Sequence, residues 1–379
     1  MTHIKRTATI ATALIALSLP LITTTNAHAD ALEATQATQV TLKQVPTIAD
    51  TAHLDAQLST WSVSNGTLHI GLTKLDPVTQ AAFTAVSGVR TDFHQEEQYV
   101  SAVKVTQLNR LRTASSSPYA FKATPPDMPS NSQTADAPWA HPVLAGGMRI
   151  TSIQNGGSTI VQCTSSKAWV YNSGTRFIAL AGHCGPNGTT WNQTYWDTIQ
   201  GAVGPNPLAA GTESNRRWAN NDVDFAATSG SSSNISTEIL ETQPATGASS
   251  GVQYHSSTGA ARVPVGGNVC TDGSFTGWNC EGVIQVNDLC ANVVEGTETV
   301  HVCGLDKATS ASSVIVQAGD SGGPVVTPVT VCGAPSDYYV ATVGIISARN
   351  DAGKTVLFTD ALEVGSRFGW QPYVAATLQ

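Results

Sequence analysis

From Trp139 onward, short runs rich in Val, Ile, Thr and aromatic residues alternate with Gly, Asn and Ser turns. Residues 159–164, 168–171, 176–181, 314–317, 339–347 and 355–359 are such runs. A half-buried strand repeats every two residues, so many short runs at this spacing predict an all-β sandwich or barrel. No repeat of fixed period is evident.

The pattern before residue 114 is different. Trp61 to Leu72 reads as a hairpin turning at Asn65-Gly66. Asp76-Pro77 then opens a helix, with Asp as N-cap and Pro at its first position. Val78, Ala81, Ala82, Ala85 and Val86 form its apolar stripe. A second helical stretch is expected over 93–111. Residues 30–114 thus predict a small α+β domain. His94, Glu96 and Glu97 lack the spacing for a metal site on one helix face and read as a solvated face. Residues 115–138 are punctuated by Pro and Ser and cannot bury enough apolar surface to order themselves. They predict a linker open to proteolysis.

Lys5 and Arg6, the uncharged run 8–22 and Ala27-His28-Ala29 predict a secretory signal over 1–29, cut after Ala29. Pro20 and the shortness of the run argue against a membrane anchor. The expectation is a secreted, extracellular protein without a membrane partner. Seven cysteines suit that oxidising setting. Among 379 residues, 41% are hydrophobic, which supports a sizeable core, and the length suggests two or three domains. A net charge of −8 argues against a nucleic-acid partner, which demands a basic field.

One stretch carries chemistry. In Gly319-Asp320-Ser321-Gly322-Gly323-Pro324, flanking glycines permit a tight turn that holds a serine hydroxyl clear of its neighbours. The N–H groups of Gly319 and Ser321 can then converge on one oxyanion. Taken alone, these residues make an ordinary surface turn equally well. Upstream, His183 follows the apolar run 177–180, flanked by Gly182 and Cys184. Histidine titrates where a general base must. Asp222 and Asp224 both offer the third group. Asp224 is preferred, because Phe225, Ala226 and Ala227 lead from it straight into a core.

With His183, Asp222 or Asp224, and Ser321 in that order, the chain resembles trypsin-like (chymotrypsin-fold) serine peptidases. Gly182-His183-Cys184 and Gly319 to Pro324 match the two signature motifs. Residues 143–147 (Val-Leu-Ala-Gly-Gly) and 269–280 bring the finer likeness to bacterial secreted members of the streptogrisin and alpha-lytic type. The resemblance covers about residues 143–361 and implies two six-stranded antiparallel β-barrels over 139–379, with the site in the cleft between them. It implies a serine endopeptidase acting through a triad of His183, Asp224 and Ser321, with Gly319 and Ser321 as oxyanion hole. The segment before the linker resembles a pro-region more weakly. Partners would be a protein or peptide substrate and the chain's own pro-region, the protein being a monomer. No cofactor motif appears and no metal is required.

Several positions depart from the family. Leu180 replaces a usual Thr or Ser. Gln317 stands where a pocket-bracing cysteine is usual. Ile315 lies at the pocket base, so Arg or Lys preference is not expected. Ser347 and Arg349 fall on the strand that would pair with substrate, Arg349 in place of a usual Gly. Arg349 would narrow the pocket, meet an acidic substrate residue, or face water. The resemblance pairs Cys163 with Cys184 and Cys270 with Cys280. Cys290 and Cys303 flank a turn near Glu295-Gly296-Thr297 and can pair across it, leaving Cys332 odd. Residues 191–196, rich in Trp and Tyr, read as a surface loop with packed rings. Two other readings stay open: a secreted binding or regulatory homologue without turnover, and a serine esterase.

Overall fold

A computed structural model describes residues 42, 44–47, 49, 57–84, 90–107, 144–154, 159–197, 202–220, 222–229, 235–240, 254–329 and 339–374. The expected signal, the linker, the sequence at 143 and Cys332 fall outside them. The described chain is mostly β, with few helices. No described helix is long and apolar enough to cross a membrane.

Six strands close a barrel through antiparallel pairs alone. They run Asn268–Gly273, Gly277–Glu295, Glu298–Thr309, Thr355–Asp360, Tyr339–Arg349 and Pro324–Pro328, which returns to the first at Cys270↔Val326. Val269, Ile284, Val325, Val343, Val356 and Phe358 fill its centre. Closure removes the unpaired edges that an open sheet exposes. A disulfide joins Cys290 to Cys303 across the hairpin that turns at Gly296, and another joins Cys270 to Cys280.

A second sheet has nine strands, ordered Gln371–Pro372, Ala168–Val170, Arg176–Leu180, Phe225–Ser229, Ala202–Arg217, Thr190–Asp197, Arg149–Gln154, Thr159–Thr164 and Lys104–Gln107. Among the described residues its pairing is open, so one of the two expected barrels is closed. The expected aromatic loop at 191–196 lies in its strand Thr190–Asp197. Trp191 is buried there and its Nε1 donates to Glu213 Oε2 at 3.0 Å. A buried indole needs such an acceptor, and the strand supplies it.

The N-terminal hairpin forms as expected, Leu58–Ser64 against Thr67–Leu72, with Asn65 and Gly66 at φ 49° and 70°. Positive φ at both central residues matches the right-handed twist of the two strands. Trp61 anchors the hairpin, fully buried beside Leu68 and Ile70. Asp76 caps the helix Pro77–Thr84, its Oδ1 accepting from Thr79 N at 2.9 Å. The buried face of that helix is Thr79 and Phe83, one turn apart, whereas Val78 is 78% exposed and Ala81 exposed. The phase of the expected stripe was wrong, because the bulkier Phe83 takes the core position.

Within the described residues, which reach 107, the expected helix over 93–111 is replaced by strands. Arg90–Gln95 lies parallel to Thr67–Leu72, Tyr99–Ser101 pairs with two barrel strands, and Lys104–Gln107 pairs with Thr159–Thr164. Helix propensity differs little between residues, so three waiting sheet edges override it. The hairpin also joins the barrel sheet, at Thr60↔Ala291 and Trp61↔Cys290. The expected strand at 314–317 is an unpaired extended segment, held by Gly353 O through Ile315 N and Val316 N.

Candidate active site

Ser321 sits in a turn shaped from inside by Asp320. That carboxylate is fully buried and accepts from the N–H groups of Gln317 (2.7 Å), Phe275 (2.8 Å) and Thr276 (3.2 Å), and from Thr276 Oγ1. Burial raises its pKa and these hydrogen bonds oppose the rise. Gly319 and Gly322 hold φ of +103° and +88°. A Cβ on Gly319 would stand 2.1 Å from the Phe275 ring, and one on Gly322 2.3 Å from Thr164 O. No other residue meets both the angle and the space.

The open sheet brings the other two groups. Strand Arg176–Leu180 runs into a single 3-10 turn, Gly182–Cys184, and a disulfide from Cys184 to Cys163 pins it. His183 N donates to Asp224 Oδ1 at 3.0 Å, and His183 Nδ1 lies 2.6 Å from Oδ2. Nε2 lies 2.5 Å from Ser321 Oγ. Asp224 immediately precedes strand Phe225–Ser229 and is fully buried. Ser347 Oγ also donates to Asp224 Oδ2, and Thr359 Oγ1 donates to its backbone oxygen at 2.8 Å. A carboxylate so placed holds the proton on Nδ1 and leaves Nε2 free to accept from the serine. Burial works against the imidazolium, but the Asp224 carboxylate outweighs it and Glu295 adds to it, so the His183 pKa is raised.

Asp222 is not part of this chain of contacts. It is half-buried, 3.3 Å from the Arg367 guanidinium in an ion pair. Trp218, which no local sequence signal marks, packs with its ring tilted by 53° and its centroid 5.0 Å from that of His183, and bonds to Glu295. Arg216 Nε donates to Gly182 O at 2.6 Å. Among the described residues no group of three or more His, Cys, Asp or Glu is placed to hold a metal. Glu96, read as solvated with His94, is drawn into an ion pair with Lys307 at 2.6 Å. Burial resists its ionisation, but His94 and Lys307 pull its pKa down to about 2.

The cleft is filled by the chain itself. Gly319 N and Ser321 N both donate to Ala102 O, at 2.5 and 3.3 Å. Ala102 N donates to Ser347 O at 3.2 Å, and Ser101 and Val100 pair with Ala348 and Arg349. Beyond the cleft, Lys104 pairs with Gln162 and Val105 with Val161. Ser321 is 0% and His183 2% exposed beneath this segment. Ile315 is buried in the same apolar cluster as Ala102. Ser347 serves both Ala102 and Asp224. Among the described residues, the Arg349 guanidinium turns to its own loop, where NH1 donates to the carbonyls of Asn350 and Asp351 at 3.1 and 3.3 Å. No sequence motif singles out Ala102; its position depends on pairing with two distant sheets.

No protein-family model matches the chain. Over 150 residues it is 30% identical to Streptogrisin-C of Streptomyces griseus, a match covering 40% of this chain and 26% of that protein. The chain therefore spans about a quarter of that relative's length. Among solved structures, Thermobifida fusca Protease A is 20% identical with a TM-score of 0.42, over 62% of this chain and 100% of that one. Alpha-lytic protease homolog N4 is 22% identical with a TM-score of 0.40, over 61% and 100%. Nocardiopsis Protease is 20% identical with a TM-score of 0.39, over 60% and 96%. The chain is similar to trypsin-like bacterial serine peptidases.

Proposed function

From that similarity and the geometry of the cleft, we propose that this chain is a secreted serine endopeptidase. In this reading Ser321 Oγ attacks a peptide carbonyl while His183 Nε2 takes its proton. The N–H groups of Gly319 and Ser321 hold the oxyanion, each contributing roughly 3–4 kcal/mol in studied cases. His183 returns the proton to the leaving amine. Asp224 keeps the imidazole in its tautomer and stabilises the charge it gains. Water then opens the acyl-enzyme by the same route. The N-terminal segment is the pro-region and residues 139–379 are the protease.

The observation that supports this best is the unbroken line Asp224–His183–Ser321 ending at a carbonyl held by two N–H donors. A binding homologue without turnover has no need of all five groups. The test is a time course with an alkyl fluorophosphonate and casein, beside Ser321→Ala. We expect one adduct on Ser321 and casein hydrolysis, both absent from the variant. A folded wild-type chain that is neither labelled nor active overturns the reading.

A further inference from the structure

The His183 turn is gripped from a third direction, by neither Asp224 nor Ser321. The end of strand Ala202–Arg217 closes on it with three consecutive residues. Arg216 Nε donates to Gly182 O at 2.6 Å. The Arg217 carbonyl packs so near that a Cβ on Gly182 would stand 1.9 Å from its oxygen. Trp218 then sets its ring 5.0 Å from the imidazole, tilted by 53°. The same indole reaches across to the barrel, where it packs on the cluster of Leu289, Val293 and Val302. Its N–H donates to the carboxylate of Glu295, the last residue of strand Gly277–Glu295, just before the turn at Gly296. We infer that Glu295 is a positioning residue for His183: it fixes the Trp218 indole against the imidazole and favours the charge that the imidazole gains. This inference rests on the endopeptidase reading and adds a second carboxylate behind its base.

An indole N–H is a donor only, and one drawn out of water needs an acceptor. Glu295 is that acceptor, so the tilt of the ring beside His183 is set from the other half of the molecule. A ring so held leaves the imidazole less room to turn away from Ser321 and Asp224. A misplaced base costs rate even when every reacting group is present. The charges around His183 are Asp224, Glu295 and Arg216. Burial opposes the imidazolium, Asp224 and Glu295 favour it, and Arg216 opposes it. Around Glu295 stand His183, Asp224 and Arg216, with Glu298 opposite in the hairpin register and exposed. Burial raises the Glu295 pKa; His183 opposes the rise, Asp224 adds to it, and Arg216 and Trp218 oppose it. The base becomes positive as Ser321 attacks. A nearby carboxylate therefore speeds that step and raises the pH at which His183 takes up its proton.

The experiment follows labelling of Ser321 in the full chain by an alkyl fluorophosphonate, across the pH range in which an imidazole titrates. The reagent carries no peptide, so its rate reads the base and not the fit of a substrate. Glu295→Gln is expected to move the acid limb down by about half a pH unit and to lower the plateau about threefold, the same quantity read twice. Glu298→Gln, in the same hairpin, is expected to leave both unmoved; an equal shift in the two variants overturns the inference. In a Trp218→Phe background, which keeps a ring but removes the donor, Glu295→Gln is expected to have a smaller effect. Equal effects in both backgrounds overturn the part given to the indole. Should Glu295→Gln fail to fold, Trp218→Phe alone decides, and a plateau equal to the wild type overturns the inference. A wild-type chain that labels and cuts casein, with limb and plateau unmoved in folded Glu295→Gln, sinks this inference and leaves the endopeptidase reading standing. A wild-type chain inert in both assays sinks both.

Discussion

The closed barrel and the open sheet receive the same segment in different ways. Nearly every barrel strand is paired on both sides. Tyr339–Arg349 outruns Pro324–Pro328, whose pairing ends at Pro324↔Ile345, and so offers backbone groups beyond that point. Ser347 and Ala348, just beyond, take Ala102 and Ser101. The barrel therefore offers a short stretch of backbone above a side-chain pocket. The open sheet offers an edge, Thr159–Thr164, paired in register with Lys104–Gln107. Backbone edges accept any peptide, whereas pockets discriminate side chains. The difference teaches that, on this reading, selectivity lies on the barrel side and affinity is shared.

On the proposed reading, the catalytic groups divide along the same line. Ser321 comes from the barrel, His183 and Asp224 from the sheet. Several contacts tie the halves: Thr164 N donates to Ser321 O at 2.8 Å, Thr164 Oγ1 to Gly319 O at 2.9 Å, Thr359 Oγ1 to Asp224 O at 2.8 Å, and Ser347 Oγ to the Asp224 carboxylate.

The strongest test of that division replaces the sheet's acid. Asp224→Asn is expected to lower peptide hydrolysis about 10⁴-fold by favouring the wrong imidazole tautomer. Asp222→Asn, two residues away, should leave the rate within about threefold, since its partner Arg367 is exposed and such pairs contribute about 0–1 kcal/mol. Equal losses would erase the distinction between the two acids.

A smaller effect separates the disulfides. Replacing Cys290 and Cys303 by Ser is expected to cost about 3 kcal/mol of stability, by the loop-closure argument, with activity per folded molecule kept. Replacing Cys163 and Cys184 should cost a similar amount, and activity as well, because that bond pins the turn bearing His183. Urea unfolding beside hydrolysis rates reads both.

The smallest expected effect is electrostatic. Burial pushes the Glu213 carboxyl of the open sheet up to about 8, with Trp191 opposing. The folded chain then holds a proton that the unfolded chain releases above about pH 4.5. The stability from that proton is full below pH 4.5 and is lost as pH rises through about 8. Glu213→Gln should remove this decline and raise the melting temperature at alkaline pH. The barrel's Asp306, raised by burial and Asp360 to about 7, should keep its own decline in that variant. An unchanged pH profile of the melting temperature for Glu213→Gln would deny that the sheet's acid is held neutral.

Much of this was legible in residue order. Asn65-Gly66 and Asp76-Pro77 fix their turn and cap through rules that span four residues, so the hairpin and the helix start stood where expected. The glycines around Ser321 and the Gly-His-Cys run mark their turns just as locally. Leu144 to Gly146, by contrast, gave no hint that it would pair in parallel with Ile235–Leu240. The long hairpin from Gly277 to Thr309 showed only its tip, because bulges such as that between Val286 and Leu289 break the alternation that a periodicity reading needs.

The sequence by itself determined the turns, the caps and the residue types of a nucleophile, a base and an acid. These depend on backbone angles and side-chain chemistry within a few positions. Only the tertiary structure set Asp224, and not Asp222, beside His183, spent the Arg349 guanidinium on its own turn, and turned residues 93–107 from an expected helix into strands. It alone placed Ala102 at Ser321, across 219 positions of sequence. Such choices are made by edges and pockets that exist only after distant strands have paired, and no local propensity carries enough energy to announce them.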